Sequence, residues 1–444
     1  MEPFTPLSAQ HERLRPMPVS YVPPMNEESG LLKAVLNEPG PPPMAAPDLD
    51  EHITPETTLR VGVIGAGEDV AREIHLPTLQ RLSEYFEIAA VSDASQRSVD
   101  LCRSRFNVPT GSVDAYALIR DPDIDLLFIL TPYEHHAAYG VAALEAGKHV
   151  LIEEPIGLSV QSARRIIDAE KHARNGARVF VASVRRYAPG FVDTFKREIA
   201  SIDRILYARC RDITGPKCHR VTRSREEDAG AKSSTGLSED SCSNKNNNDT
   251  PILSDLLREA FVGQELTGPR VAFGRFLGSL GCRNLSLMRE TLGFPESVVG
   301  VVTNEPFYSA IFRYSDRHGH PYSVTFESGV DAVPRFDAHL TVYGRDKTVG
   351  IEYRTPAAVT ESPAPAPVRV VVEEMDARGE LQRREVRSSY EDVYAAELKE
   401  LYACLVRGQP IRTTAEDALL DLKLFRMMFE QYDRQCGTIR TPLG

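Results

Sequence analysis

No stretch of this chain is apolar for long enough to cross a membrane as a helix, which argues against an integral membrane protein of that type. Positive charge is in deficit: 52 Lys and Arg face 63 Asp and Glu, and the net charge of −11 disfavours a nucleic-acid surface. The 7 cysteines are scattered, odd in number and without close pairs, so neither a disulfide framework nor a zinc site is indicated. The N-terminus has no apolar signal core, and its acidic residues argue against a transit peptide. These absences lead to the expectation of a soluble, cytoplasmic protein in a reducing compartment, with no membrane, nucleic-acid or metal partner. What is present is a chain of 444 residues, 42% of them hydrophobic, enough for two or three domains with real cores.

The stretch from Val61 to Ala71 organises the rest. An apolar strand ends in Gly65 and Gly67, and a helix is expected just after them. Gly65 allows a tight turn, Gly67 lets the backbone approach a ligand, and the helix start aims free N–H groups at a pyrophosphate. A second strand, Ile88 to Val91, leads to Asp93, where such folds place an acid for a ribose hydroxyl. Two details run against tight binding. Val70 stands where the usual spacing wants a third glycine, and Glu68 with Asp69 puts two acids beside the expected anion.

In chain order, residues 1–57 read as a disordered, proline-rich arm, with Gly30 to Leu36 as a short helix-forming segment inside it. Residues 58–184 alternate strand and helix. Leu126 to Leu130, Val150 to Ile152 and Val179 to Ala182 read as buried parallel strands, separated by helices over Ala137 to Ala146 and Ser162 to Asn175. That alternation predicts a doubly wound parallel sheet with ligands at the carboxyl ends of its strands, where Thr131, Pro132, His136, Glu153 and Glu154 fall. Residues 185–444 follow as a second α/β domain. It carries a polar insertion at about 214–250, helices over Pro251 to Phe261 and Phe276 to Leu292, and short alternating runs. Those runs, Val298–Val302, Tyr308–Tyr314, Tyr322–Phe326, His339–Tyr343, Val349–Tyr353 and Val368–Val372, predict an open, mainly antiparallel sheet. After a proline-rich break at Pro356 to Pro367, two helices close the chain, with Ser389/Asp392 and Thr414/Asp417 as capping pairs.

Four motifs, in order, carry a resemblance: Val-Ile-Gly-Ala-Gly, Ile-His-Leu-Pro (Ile74 to Pro77), Thr-Pro-x-x-x-His (Thr131 to His136), and Glu-Ala-Gly-Lys-His-Val-Leu-Ile-Glu-Glu-Pro (Glu145 to Pro155). With Arg185-Arg186-Tyr187-Ala188-Pro189 after the sheet, this resembles the Gfo/Idh/MocA family from about Leu59 to Tyr207, and loosely beyond. The resemblance implies a Rossmann domain that binds NAD or NADP, then a domain whose open sheet carries the substrate and often the subunit interface. A small-molecule substrate and a homodimer through the C-terminal sheet are therefore expected. Gly65, Gly67, Asp93, Thr131, Pro132 and Glu153 are the candidate cofactor contacts. Asp93 leans the choice to NAD, because it would repel a 2′-phosphate.

The family's usual chemistry is not where the resemblance places it. Members usually carry Glu-Lys-Pro after the strand, and here the lysine position is Glu154. The central helix usually offers Asp, Gly-x-His and a second Asp. Ser279, Gly281, Arg283 and Ser286 occupy those places, and arginine is a poor general base. Glu154, Arg283, His136, Arg185 and Tyr187 remain as candidate catalytic groups, with Arg185 and Tyr187 expected to face the cleft. A Glu153–Glu154 carboxylate pair is disfavoured, since neighbours on a strand point opposite ways. Three functions stay open. The first is a redox-neutral step (cyclisation, isomerisation or elimination) with the cofactor vestigial or absent. The second is an NAD(P)-dependent oxidoreductase with an unusual proton route, and the third a non-catalytic sensor on the same fold.

Overall fold

The computed structural model describes residues 57–215, 251–333, 336–353, 368–387 and 393–438. The N-terminal arm up to residue 56, most of the 214–250 insertion, the proline-rich break and the Ser389/Asp392 cap lie outside the described residues.

Alternating apolar strands and amphipathic helices build a first, parallel sheet of six strands: β1 (Leu59–Ile64), β2 (Phe86–Ser92), β3 (Thr110–Ser112), β4 (Leu126–Ile129), β5 (His149–Glu153) and β6 (Val179–Ala182). Their spatial order is β3-β2-β1-β4-β5-β6, so strand order reverses between β1 and β4, the point where such sheets open a ligand crevice. The strands are buried on both faces. Leu127, Ile129 and Ile152 feed one core, and Leu126, Phe128 and Leu151 the other. Helices α1 (Leu76–Arg81), α2 (Gln96–Phe106), α3 (Ala115–Arg120), α4 (His136–Glu145) and α5 (Val160–Lys171) connect them. Side-chain caps from Ser95, Asp114 and Ser159 start α2, α3 and α5. A π-helical turn, Ala71–His75, precedes α1.

After the short helices α6 (Val184–Tyr187) and α7 (Lys196–Ala200), the chain forms a second sheet of eight strands. These are β7 (Ile205–Thr214), β8 (Ser297–Asn304), β9 (Phe307–Ser315), β10 (Pro321–Val330), β11 (Phe336–Gly344), β12 (Lys347–Tyr353), β13 (Arg369–Met375) and β14 (Leu381–Arg387). The order is β14-β13-β12-β11-β7-β10-β9-β8; only the β7–β10 pair is parallel. The period-2 pattern holds: Val324 and Phe326 are buried, while Ser323, Thr325 and Glu327 alternate on the other face. The buried face packs on Phe191, Phe195 and a long central helix. After α8 (Pro251–Ala260), that helix runs as α9 (Gly268–Phe276), a π turn (Leu277–Gly281) and α10 (Cys282–Leu292).

The expected architecture is present, and the structure adds what short or charged strands hid. β3, β7 and β14 had no expectation, and the central helix begins earlier than expected, at Gly268. The chain ends in α11 (Val393–Val406), which packs Leu398, Leu401 and Tyr402 on the parallel sheet, and α12 (Ala415–Thr438). α12 contacts both α5 and β8, tying the two sheets together. Its Gln435 accepts from the Val301 amide at 2.8 Å and donates to the Val301 carbonyl at 3.1 Å, so the free edge of β8 is paired. Thr414 caps α12 through the Asp417 amide, but the Asp417 carboxylate does not complete the expected pair; it goes to arginines.

Candidate active site

At the carboxyl end of β1 the backbone turns at Gly65, with φ +90°. A Cβ there would stand 2.7 Å from the Thr131 amide, so only glycine lets the β1 and β4 ends approach this closely. Gly67 donates its N–H to Asp93 Oδ2 at 2.9 Å, and Asp93 Oδ1 accepts from Ser95 N at 2.9 Å. Asp93 thus stands beside the glycine turn at the end of β2. Thr131 reaches the crevice with its Oγ1 buried and without a partner, and Pro132 opens the turn Tyr133–His135. Of the two acids at the turn, Asp69 is neutralised by Arg72 at 2.7 Å. Glu68 has its carboxyl raised above the ordinary range by partial desolvation and then by the Asp93 and Asp69 charges. The close approach at Gly65, the carboxylate beside Gly67 and the orphan Thr131 hydroxyl fit a dinucleotide.

A second cluster lies at the end of β5. Glu153 Oε1 is 2.7 Å from His75 Nε2, which therefore carries a proton and donates it. Burial opposes charge on Glu153, but His75 and then Arg283 outweigh it and hold the carboxyl below its ordinary value. Next to it, Glu154 is pushed up to about 7, by burial first and by Glu153, against the pull of Arg283. β5 stops at Glu153, so strand alternation does not separate the two glutamates. The expectation that disfavoured their pairing is corrected, since Glu153 acts on the Glu154 carboxyl. From α11, Glu397 comes into the same cluster, 1% exposed, its Oε1 accepting from Ser183 N at 2.7 Å. Burial, then Glu153, raises its carboxyl well above the usual range. Arg283, the second residue of α10, is exposed in this cleft, within electrostatic reach of Tyr394, Glu154 and Glu153. A cavity of about 10 Å³, at the lower limit for one water, lies behind Glu154 against Ser183, Arg186 and Asp417.

The structure therefore brings Glu153, Glu154 and Arg283 together and pairs Glu153, expected as a cofactor contact, with His75. Three other candidates are corrected. His136 is 2% exposed, with Nε2 2.7 Å from the Thr131 carbonyl and Nδ1 3.0 Å from the Pro155 carbonyl, so the ring is turned to backbone acceptors and its one N–H serves one of them. Arg185 is buried against Asp212, at 2.9 Å, and Asn284. Tyr187 stacks on Phe180 and bonds Thr413 Oγ1 at 2.7 Å inside the core, and burial raises its hydroxyl. Of the central-helix positions, Ser279 donates to the Arg275 carbonyl at 2.8 Å and Ser286 lies under Arg186. Sequence reasoning gives His75 and Glu397 no functional role. His75 sits inside Ile-His-Leu-Pro, which marked it, while nothing local marked Glu397. Among the described residues no group of three or more His, Cys, Asp or Glu is arranged to hold a metal ion.

Residues 59–183 match the GFO_IDH_MocA family, described as an oxidoreductase family with an NAD-binding Rossmann fold. The chain carries a Gfo/Idh/MocA Rossmann domain. Over 148 residues it is 33% identical to an inositol 2-dehydrogenase of Paracoccus denitrificans, a match that covers 33% of this chain and 42% of the relative. It is 32% identical over 108 residues to a 1-carboxy-3-chloro-3,4-dihydroxycyclohexa-1,5-diene dehydrogenase of Comamonas testosteroni, covering 24% of this chain and 26% of the relative. The likeness in fold extends further. The protein yvaA of Bacillus subtilis superposes with a TM-score of 0.61 at 15% identity, covering 85% of this chain and 98% of its own. The 3-ketoreductase KijD10 of Actinomadura kijaniata, solved with NADP and TDP-benzene, gives 0.59 at 18%, covering 83% and 96%.

Proposed function

We propose that the protein is an NAD(H)-dependent oxidoreductase of a small metabolite in which Glu154 takes over the proton transfer that a lysine supports in its relatives. The observation that carries this reading is the Glu154 carboxyl, set in the cleft beside Glu153 and Arg283 and titrating near neutrality. A carboxylate fixed in its ionised form could not donate to a developing alkoxide, but one that is half protonated at pH 7 can donate in reduction and accept in oxidation. His75 keeps Glu153 ionised, which in turn helps hold the proton on Glu154. Arg283 supplies a fixed positive charge on the same side. Bound NAD(H) supplies the hydride; Gly65, Gly67, Asp93 and Thr131 are the residues that would hold it. A clear test is exchange of deuterium between 4-deuterated NADH and a panel of small ketones and aldehydes. Transfer is expected in wild type, and a fall of about 10²- to 10⁴-fold with unchanged NADH binding in Glu154→Gln.

A redox-neutral step is the second reading, favoured by Glu154 and Arg283 standing where the resemblance implies lysine and histidine. The same carboxyl would then move a proton between two carbons of the substrate. Turnover that persists with the nicotinamide removed supports it, and strict dependence on hydride exchange rejects it. A second copy of the chain is the proposed partner, through the solvent-facing side of the eight-stranded sheet. Val299, Val302 and Ile311 are exposed there at 56%, 60% and 46%. A cytosolic setting suits the buried free thiols Cys102, Cys210, Cys282 and Cys404.

A further inference from the structure

We infer that the substrate carries a carboxylate, read by Arg283. This rests on the proposal that the cleft at the end of β5 is the active site. The guanidiniums that face the interior nearby are all committed. Arg185 holds Asp212 and Asn284, Arg186 holds Glu290 and Asp417, and Arg289 holds Asp421 at 2.6 Å and Asp417 at 2.8 Å. Arg283 is the exception. Among the described residues it has no hydrogen-bonded or ion-paired partner, although Glu153 and Glu154 lie close enough to feel its charge. It is exposed where the six residues after it, Asn284 to Arg289, are buried. The π turn Leu277–Gly281, immediately before α10, inserts an extra residue per turn. Arg283 follows this turn as the second residue of α10 and is exposed there.

An arginine fork with its N–H groups unused is built for a planar two-oxygen acceptor, and carboxylate is the smallest such group. The surroundings choose between oxyanions. Glu153 is ionised and Glu154 partly so, and both would repel a phosphate dianion more strongly than a single carboxylate charge. A neutral polyol would offer the Arg283 fork only neutral acceptors, which form weaker hydrogen bonds than a carboxylate does. A hydroxy or oxo acid satisfies both conditions: its carboxylate takes Arg283 and leaves its adjacent hydroxyl or carbonyl oxygen for Glu154, which feels the Arg283 charge.

The test is calorimetric and needs no turnover. Lactate, glycerate, gluconate and shikimate are titrated into the full chain against glycerol, myo-inositol and glucose 6-phosphate as matched neutral and phosphorylated probes. At least one of the carboxylates is expected to bind more tightly than its neutral counterpart and than the phosphate. Arg283→Ala is expected to weaken that binding about 10- to 100-fold, and Arg283→Lys to recover part of it. Among the described residues Arg283 makes no hydrogen bond or ion pair, and circular dichroism of its variants should match wild type. The inference is overturned if no carboxylate binds wild type better than the neutral and phosphorylated probes, or if its affinity survives Arg283→Ala. Carboxylate binding without hydride exchange would leave this inference standing and remove the oxidoreductase reading; exchange on neutral polyols alone would do the reverse.

Discussion

Glu154 differs from an ordinary glutamate in when it lets its proton go. Its folded value of about 7 lies above the ordinary 4.5, because burial and Glu153 disfavour the charge more than Arg283 favours it. If Glu154 is the acid, carbonyl reduction requires its protonated form and slows as pH rises through about 7. Alcohol oxidation requires the carboxylate and quickens over the same window. Initial rates in both directions from pH 5.5 to 8.5 should show these opposed limbs, and Glu154→Gln should flatten them. The same shift acts on stability. A carboxyl whose folded value is raised stabilises the fold below its unfolded value, and that contribution is lost as pH rises through the folded value. Wild type should therefore lose on the order of 3 kcal/mol at this site between pH 4.5 and 8. Thermal melts should show Glu154→Gln gaining on wild type as pH rises from 5 to 8. Tyr187 gives the contrasting case at the same scale. Its hydroxyl is bonded to Thr413 within the core, so Tyr187→Phe should cost about 1 kcal/mol in urea denaturation and leave NADH affinity unchanged.

Three helices meet through one shared carboxylate. Asp417 on α12 receives Arg186 from α6 and Arg289 from α10, and Arg289 also holds Asp421, one turn along α12. Burial works against the Asp417 charge, but Arg186 and Arg289 outweigh it and hold the carboxyl at about 2. Asp417→Asn removes that charge while leaving two arginines buried. A loss of about 3 kcal/mol is expected, read as a lower urea midpoint with an unchanged slope. The sign with pH is opposite to that of Glu154. Asp417 stabilises above its unfolded value of 3.8 and the contribution goes as pH falls through about 2, so wild type should lose stability in that acid window and Asp417→Asn should lose less. Elements also show what the sequence could reveal. β4, Leu-Leu-Phe-Ile, is continuous apolar residues and reads as a buried strand without help. β3, Thr-Gly-Ser, has no pattern, and β7 turns Asp212 inward and carries Arg209 and Arg211 outward, so its charges mask its place at the centre of the second sheet. Local spacing placed Glu154 beyond β5 and Arg283 on the central helix. It could not show that Arg185 is held by Asp212 and Tyr187 by Thr413, or that Glu397, more than two hundred residues downstream, reaches Ser183; those facts are set by how helices α6 and α11 pack.

At the scale of the whole molecule, the eight-stranded sheet has one face packed and one facing solvent. Its solvent face carries a ladder of charges, Arg209 to Glu327 at 2.8 Å, Arg211 to Glu327 at 3.0 Å and Arg211 to Asp337 at 3.1 Å. Toward the β8 edge it turns apolar, with Val299, Val302 and Ile311 exposed. Ladders satisfied within one chain contribute little to association, since their charges are already paired and hydrated. The apolar end is then the part whose burial against a second copy gains free energy, at about 25 cal/mol per Å² removed from water. A two-fold pairing would set this patch against the same patch or against its neighbours on the partner. Sedimentation at micromolar concentration should therefore give about twice the chain mass. Replacing Ile311 and Val302 together by Lys should return the mass to that of one chain, because two like-charged pairs would face each other across the axis. Circular dichroism should stay unchanged, as both side chains are exposed. A dimer that survives this double replacement would place the interface elsewhere and leave the apolar end of the sheet without the role argued for it.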